Sequence, residues 1–152
     1  MRQNLLSLER IKTGIIARDW EDLVDQIGDM MVRAGDTQSS YTQAMKNVIK
    51  EIGPYCVIAP GIVLLHARPE EGVNRLCLAL GTLAEGVKFG SANDPVFFAL
   101  GLGAVDHESH LTLLAELADL LQNKELVKKV ISAKDNEEVL SLVTSSVTVH
   151  KK

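Results

Sequence analysis

The sequence predicts an α/β protein with some α+β character, in which a mixed central β-sheet is flanked by helices on both faces as three layers, α/β/α. Three observations lead to this prediction. Two amphipathic helical stretches lie in the first third, short runs rich in Val, Leu, Ile and Phe fill the middle, and helical periodicity returns near residue 107. No linker-like stretch interrupts the 152 residues, so we expect one domain spanning 1–152.

The N-terminal third predicts one strand and two helices. "KTGIIAR" is a short β-branched stretch and is expected to be an edge strand. "WEDLVDQIGDMMVRAG" has apolar residues at helical spacing, with Asp19 as its N-cap and Gly35 as its stop. In "SYTQAMKNVIKEIG", Ser40 and Gln43 fit a capping box, and Gly53 ends the second helix.

The middle of the chain predicts strands that are buried on both faces. "IVLLHA", "LCLALGTL" and "PVFFALGLGAV" are apolar throughout rather than alternating. We expect the run from Val57 to Leu65 to form one strand that ends at His66. "RPEEGVNR" and "AEGVKFGSAND" have the composition of loops.

The C-terminal third predicts three helices. The first begins at His107, and its apolar face is expected to comprise Leu111, Leu114, Leu117, Ala118 and Leu121. Two shorter helices are predicted at "KELVKKVISA" and "NEEVLSLVTSSV". The tail "TVHKK" is expected to fray, with His150 solvated.

Composition excludes several classes of function. The net charge of -4 argues against non-specific nucleic-acid binding, and no apolar run approaches the roughly 20 residues of a membrane span. The N-terminus does not resemble a signal peptide, so we expect a cytoplasmic protein. Cys56 and Cys77 lie in apolar runs and are interpreted as buried, inert thiols, with a reactive pair as the less favoured alternative.

Two histidine sites follow buried strands. His66 ends the apolar run, where side chains of α/β folds face a ligand crevice. Asp106 is a plausible N-cap, so His107 and His110 fall in the first turn of a helix, where free backbone N–H groups suit an anion. His110 is expected to point inward and His107 toward solvent. A structural, hydrogen-bonded histidine explains His66 alone equally well, but two such sites together favour a functional interpretation.

Three chemistries use histidines in this arrangement. His66, His107 and His110 could supply zinc ligands, although no HExxH or cysteine-pair spacing supports them. Acyl transfer would need an exposed Ser or Cys nucleophile, but the chain has no G-x-S-x-G motif and Cys56 lies in an apolar run. A neutral imidazole can instead attack phosphorus, with a second histidine and a helix N-terminus nearby. The absence of a Walker A motif then indicates a phosphoprotein donor, and no cofactor or metal is expected.

The segment "GPYCVIAPGIVLLHARPEEGV" resembles a known active-site pattern, G-P-Y-x-V-I-A-P-G-x-x-x-P-H-x-R-P-E-E-G-V. That pattern belongs to the enzyme IIA domains of the bacterial phosphotransferase system, in the fructose–mannitol superfamily, and it is most similar to the ascorbate type. "NDPV" and "AVD" followed by His110 match in the same order. The resemblance extends from the "YTQAM" helix to the "EEVLSL" helix and implies a mixed sheet flanked by helices.

The resemblance also implies a reaction and its partners. His66 would accept a phosphoryl group from the phosphocarrier HPr and pass it to a cysteine of enzyme IIB, which serves the membrane enzyme IIC. His110 would assist the phosphoryl group, whereas His107 has no counterpart. The sugar would be L-ascorbate or a related sugar acid or pentitol, although the carried sugar is bound by the IIC partner. The family usually has proline and glycine where this chain has Leu65 and Ala67, which leaves the loop geometry open.

Other residues are left with open roles. Arg68 either stabilises the phosphoryl group, or binds the acidic side of a partner, or is a solvated charge at a turn. Glu70 and Glu71 are interpreted as solvated turn residues. Lys50 lies near the position of an arginine in mannitol-type relatives, but the surrounding motif does not match. A regulatory module that acts by protein contacts and a zinc hydrolase remain as alternatives, and a homodimer is left open.

Overall fold

The protein is built on a five-stranded mixed sheet, seen in a computed structural model that describes residues 5–150, with side chains through residue 145. The strands are β1 (Ile11–Ile15), β2 (Val57–Ala59), β3 (Ile62–Leu65), β4 (Cys77–Val87) and β5 (Val96–Gly103), in the order β1-β4-β5-β3-β2. β1 pairs with β4, and β3 with β5, in parallel, whereas β4–β5 and β2–β3 are antiparallel.

Five helices cover the two faces of the sheet. They are α1 (Trp20–Arg33), α2 (Ser39–Ile52), α3 (His107–Leu121), α4 (Lys124–Ile131) and α5 (Asn136–His150). Buried side chains of α1 and α2 share one apolar cluster with the sheet, and those of α3, α4 and α5 share a second cluster. The predicted three-layer α/β/α class is therefore confirmed. None of the helices in the described range is long and apolar enough to cross a membrane.

The strand predictions needed two corrections. The run from Val57 to Leu65 is not one strand, because the Pro60–Gly61 turn folds it into the β2–β3 hairpin. Gly61 has φ +77°, which glycine adopts without strain. β4 continues through Ala84 to Val87, residues predicted to lie in a loop, because Val87 still pairs with Val96 of β5 after a register shift. β3 and β5 are almost wholly buried, as expected for strands covered on both faces.

The helix starts agree with the sequence at α1 and α3 but not at α2. Asp19 Oδ1 accepts a hydrogen bond of 2.8 Å from Asp22 N at the start of α1. At α2 the predicted capping box is wrong, because Gln38 takes the N-cap position and Ser40 lies inside the first turn. The Ser40 hydroxyl instead donates 2.8 Å to the carbonyl of Glu71, in the loop that follows β3.

The C-terminal helices differ from prediction in face and length. The buried face of α3 comprises Leu113, Leu117 and Leu120, while Leu111 is 53% exposed and Ala118 is also exposed. The predicted face was therefore wrong at Leu111 and Ala118, whereas Leu117 is buried and Leu114 and Leu121 pack against the same cluster. α5 remains helical to His150, so the expected fraying does not begin at Thr148. The His150 side chain and residues 151–152 lie outside the described residues.

A buried carboxylate ties the N-terminus to the loop after β3. Asp36, in the α1–α2 connection, is 1% exposed and accepts hydrogen bonds from Arg10 Nε (2.7 Å) and Arg75 Nε (2.8 Å). Burial acts to raise the pKa of the Asp36 carboxyl, but the bonds and positive charges of the two arginines outweigh it, so that pKa lies below its usual value. The Asp36 carbonyl also accepts from Asn74 N at 2.9 Å.

Removing this charge should destabilise the fold. In Asp36→Asn, the partly buried Arg10 loses its buried carboxylate partner and keeps only the exposed Glu9, so we expect the free energy of unfolding at pH 7 to fall by about 3 kcal/mol. Asp29→Asn is the matched control, because Asp29 pairs with Arg33 at the exposed surface of α1, and it should cost less than about 0.5 kcal/mol. Urea unfolding measures both.

The pH dependence of that loss has a defined sign. The pKa of Asp36 is lower in the folded protein than the value of 3.8 expected in the unfolded chain. Its contribution to stability is therefore complete above pH 3.8 and is lost as the pH falls through the folded-state pKa. The gap between wild type and Asp36→Asn should therefore persist at pH 5 to 7 and narrow below about pH 3.8. A gap that stays constant in acid would contradict the assignment.

Candidate functional site

His66 leaves the sheet at the carboxyl end of β3, on the face covered by α3. Side chains alternate along a strand, and Val63 and Leu65 pack in the cluster with α1 and α2. Ile62 and Leu64 pack in the opposite cluster, which includes α3. His66 continues this alternation, and its ring lies beside His110 of α3 while also lining the cleft next to α2.

His110 reaches the same place through the neighbouring strand. β3 and β5 are parallel and in register up to the pair Leu65–Gly101, so their carboxyl ends lie at one edge of the sheet. Three residues separate β5 from α3, whose N-cap Asp106 accepts a 2.7 Å hydrogen bond from Ser109 N. The His66 and His110 ring centroids lie 5.6 Å apart, with the ring planes at 46°. The structure thus brings together the two histidines predicted from the sequence.

A backbone carbonyl orients the His66 ring. Nδ1 of His66 lies 3.3 Å from the carbonyl oxygen of Leu64. A carbonyl only accepts, so this contact favours the tautomer with the proton on Nδ1. Nε2 then keeps its lone pair, and the ring is partly exposed at the cleft. This leaves one nucleophilic nitrogen pointing away from the strand backbone.

The environment of His110 favours its neutral form. Burial lowers the pKa of His110 below its usual value, and the nearby His66 and His107 rings lower that pKa further. A neutral imidazole carries one N–H donor and one acceptor nitrogen. His110 can therefore donate a hydrogen bond without placing a second positive charge beside His66.

The two histidines line an open cleft of about 850 Å³ between the second half of α2, the loop after β3 and the start of α3. Arg68, Glu70 and Glu71 line the same cleft and are exposed. Across the described chain, the Arg68 side chain has no hydrogen-bond or ion-pair partner, so its guanidinium is free to contact a ligand or a partner. His107 also lines the cleft and is exposed, in agreement with the sequence.

Tyr41 contributes to this region although no pattern in the sequence singled it out. It lies in the first turn of α2 and is 1% exposed. Its hydroxyl accepts a 2.9 Å hydrogen bond from Ala67 N and donates at 2.6 Å to the carbonyl oxygen of Leu102. The only sequence signal was a tyrosine on the apolar face of a helix, which ordinarily indicates core packing.

The two departures from the family pattern cause no backbone strain. Leu65 is buried and forms the last pair of β3 with Gly101. Among the residues that the structure describes, all those with positive φ are glycines, so Ala67 does not occupy a position that needs glycine. Lys50 forms a 3.6 Å ion pair with Glu21 at the surface and does not line the cleft.

The geometry gives little support to a reactive cysteine pair or to a zinc site. Cys56 and Cys77 are both free, and burial raises the pKa of the Cys56 thiol to about 11 and that of the Cys77 thiol to about 12. Cys56 lies with His66 along a small, mostly apolar groove. Within the described part of the chain, no three His, Cys, Asp or Glu side chains are arranged to hold a metal ion. The zinc interpretation therefore has no ligand set there.

Comparison with known proteins gives one consistent family. Residues 4–146 match the family described as "Phosphoenolpyruvate-dependent sugar phosphotransferase system, EIIA 2". The chain is 32% identical over 145 residues to an "Ascorbate-specific PTS system EIIA component" of Shigella boydii, covering 94% of each chain.

Two solved structures share the fold. The first is the mannitol-specific cryptic phosphotransferase enzyme IIA of Escherichia coli, with a TM-score of 0.87 and 27% identity, covering 95% of this chain and 99% of the other. The second is enzyme IIAMTL of Escherichia coli, solved in complex with phosphorylated enzyme IIBMTL. It has a TM-score of 0.81 and 24% identity, and the match covers 92% of this chain and 97% of the other.

Proposed function

Since the chain belongs to the EIIA 2 family of the phosphoenolpyruvate-dependent sugar phosphotransferase system, and is thus a phosphotransferase component, we propose that His66 is its phosphoryl carrier. His66 accepts the phosphoryl group from phospho-HPr and passes it to a cysteine of a cognate enzyme IIB. The observation that carries this proposal is the paired placement of His66 and His110, with His66 Nε2 free at an open cleft.

The chemistry needs no proton transfer from His66. The Nε2 lone pair forms the new bond to phosphorus while the bond between phosphorus and its donor atom on HPr breaks in line. The proton stays on Nδ1, which donates to the Leu64 carbonyl throughout. The product is a phosphohistidine at Nε2, which the reverse displacement delivers to the cysteine sulfur of enzyme IIB. The transition state of such a transfer is loose, so positioning and charge stabilisation supply most of the catalysis.

Three groups stabilise the phosphoryl oxygens in this proposal. The N–H of neutral His110 donates to one oxygen, from a ring 5.6 Å away. The start of α3 adds the positive end of its helix dipole, while its Ser109 and His110 N–H groups are already bonded to Asp106. Arg68, exposed at the cleft and without a protein partner among the described residues, supplies positive charge to the phosphoryl group or to an acidic partner surface.

The proposed partners follow from the relatives. Enzyme IIAMTL of the solved complex assembles with phosphorylated enzyme IIBMTL, and we extend an enzyme IIB partner to this chain. The ascorbate-specific relative supports L-ascorbate, or a related sugar acid or pentitol, as the sugar carried by the membrane enzyme IIC. In such a system the protein would act in the cytoplasm, where HPr and enzyme IIB meet it.

Replacing the carrier histidine should abolish phosphorylation. His66→Ala removes the nucleophile, so incubation with phospho-HPr should leave no acid-labile phosphate on the protein, whereas wild type should take up one phosphate. His107→Ala is the matched control: His107 lines the same cleft, and we expect this variant to be phosphorylated at His66 to the wild-type extent. Intact-mass measurement and site mapping decide the result, and a fully phosphorylated His66→Ala protein would falsify the assignment.

Removing the second histidine should slow transfer without removing the acceptor. In His110→Ala we expect phosphorylation of His66 to become about tenfold to a hundredfold slower, because one donor to the phosphoryl oxygens is lost. His110→Gln keeps an N–H donor and should recover part of the rate. Rapid-quench kinetics with phospho-HPr measure both variants, and an unchanged rate in His110→Ala would exclude His110 from the reaction.

The choice of acceptor separates a transport role from a regulatory one. Phosphorylated wild type should transfer its phosphate to the active cysteine of an ascorbate-type enzyme IIB, and more slowly to a mannitol-type enzyme IIB. Phosphate transfer in a panel of purified IIB domains measures this preference. A protein that is phosphorylated at His66 but donates to none of them would instead support the regulatory module.

A further inference from the structure

We propose that Tyr41 is a positioning residue for His66: its hydroxyl takes the place of the next hydrogen bond between β3 and β5 and holds the two strands apart where His66 leaves the sheet. This inference rests on the proposed role of His66 as phosphoryl carrier. It assigns to a core residue of α2 a function in the geometry of the site.

The register of the strands identifies the bond that is missing. Phe98 N donates to the carbonyl of Gly61 at 3.0 Å, and the pairing continues without a shift from Ile62–Phe98 to Leu65–Gly101. In a parallel ladder each strand donates at every second residue. Continuing this register would make the next bond run from Ala67 N to the carbonyl of Leu102.

The Tyr41 hydroxyl occupies that bond. Ala67 N donates to the hydroxyl oxygen at 2.9 Å, and the hydroxyl donates in turn to the Leu102 carbonyl at 2.6 Å. A direct bond would bring the Ala67 nitrogen to about 2.9 Å from the Leu102 oxygen, whereas two bonds in series through one oxygen keep them farther apart. The ladder therefore ends at Leu65, and the backbone of His66 departs from the direction of β5.

Burial holds the bridge in one protonation state. The ring of Tyr41 packs among the buried residues of α1, α2 and the sheet. Burial raises the pKa of the Tyr41 hydroxyl to about 12, while the bond from Ala67 N acts to lower it. The hydroxyl consequently remains a donor to Leu102 across the physiological pH range, and the bridge does not open by titration.

The bridge fixes both strand ends that carry the histidines. Ala67 directly follows His66, and Leu102 lies four residues before the α3 N-cap Asp106. One oxygen atom therefore sets the separation of the two backbone segments from which His66 and His110 project. Without it, Ala67 N and the Leu102 carbonyl either lose their partners or close into a direct rung, and both outcomes move the His66 ring relative to His110.

The test compares two variants that each remove one buried hydroxyl. Tyr41→Phe keeps the aromatic ring and removes the bridge. Thr82→Val is the matched control, because the buried Thr82 hydroxyl accepts a 3.3 Å bond from Gly14 N, and Thr82 pairs with Phe98 near the opposite end of β5. Thermal unfolding establishes that both variants are folded at the temperature of the assay.

In Tyr41→Phe we expect the maximal rate of phosphorylation by phospho-HPr to fall about tenfold to a hundredfold, with an unchanged KM, since the surface that meets HPr is intact. NMR titrations of the His66 and His110 imidazole resonances should also differ between Tyr41→Phe and wild type. Thr82→Val should retain the wild-type rate and the wild-type titrations. A purely structural role of Tyr41 would lower stability and leave the rate and the imidazole titrations unchanged, which would overturn the proposal.

Two further measurements test the proposal if the first experiment fails. If Tyr41→Phe does not fold, hydrogen exchange of the Ala67 amide in wild type tests the bridge directly: slow exchange supports it, and exchange at the rate of an unprotected loop amide overturns it. If wild type takes up no phosphate at His66, the proposed function fails. The imidazole titrations of Tyr41→Phe still decide separately whether Tyr41 positions the ring.

Discussion

Parallel strands deliver their carboxyl ends to the same edge of a sheet, and the pairing of β3 with β5 uses that geometry to bring His66 and His110 together. The register ends at the pair Leu65–Gly101, one residue before His66, so the side-chain alternation of β3 directs the imidazole toward α3. β5 then needs only a short connection to start that helix, whose first turn carries His110. A change in the β3–β5 register by one residue would turn the His66 side chain to the opposite face of the sheet and separate the pair.

The loop after His66 is held by the connection between α1 and α2. Gln38 N donates to the Gly72 carbonyl at 2.8 Å, Ser40 donates to the Glu71 carbonyl, and Asp36 binds Arg75. Gly72 has φ +132°, and a Cβ there would lie 2.6 Å from Ser40 Oγ, so only glycine allows this close approach. These hydrogen bonds hold the loop that carries Arg68, so less conformational freedom would be lost if a partner docked there.

Periodicity and end signals allowed most of the fold to be predicted. The Asp19 and Asp106 caps and the doubly buried strands gave the helix–sheet–helix layers, and the histidine pair with its motif gave the candidate site. Sequence patterns were insufficient where long-range contacts decide. In the sequence, Pro60 and Gly61 look like part of one apolar run, but they form the turn at which β2 folds back on β3. Ser40 fits a capping box, but its hydroxyl instead donates to the Glu71 carbonyl. Tyr41 was missed because its two backbone partners lie 26 and 61 residues away in the chain.

The raised thiol pKa of the half-buried Cys56 has a consequence if His66 carries a labile phosphoryl group destined for a cysteine on another protein. Cys56 lies along the groove beside His66 and is chemically the same kind of acceptor. Its pKa of about 11 leaves a thiolate fraction on the order of one in ten thousand at neutral pH. The thiolate is the nucleophilic form, so desolvation of Cys56 disfavours an unproductive transfer within the same molecule. If His66 is phosphorylated, the largely apolar environment of Cys56 would therefore favour transfer to a thiol of a partner protein over transfer to Cys56.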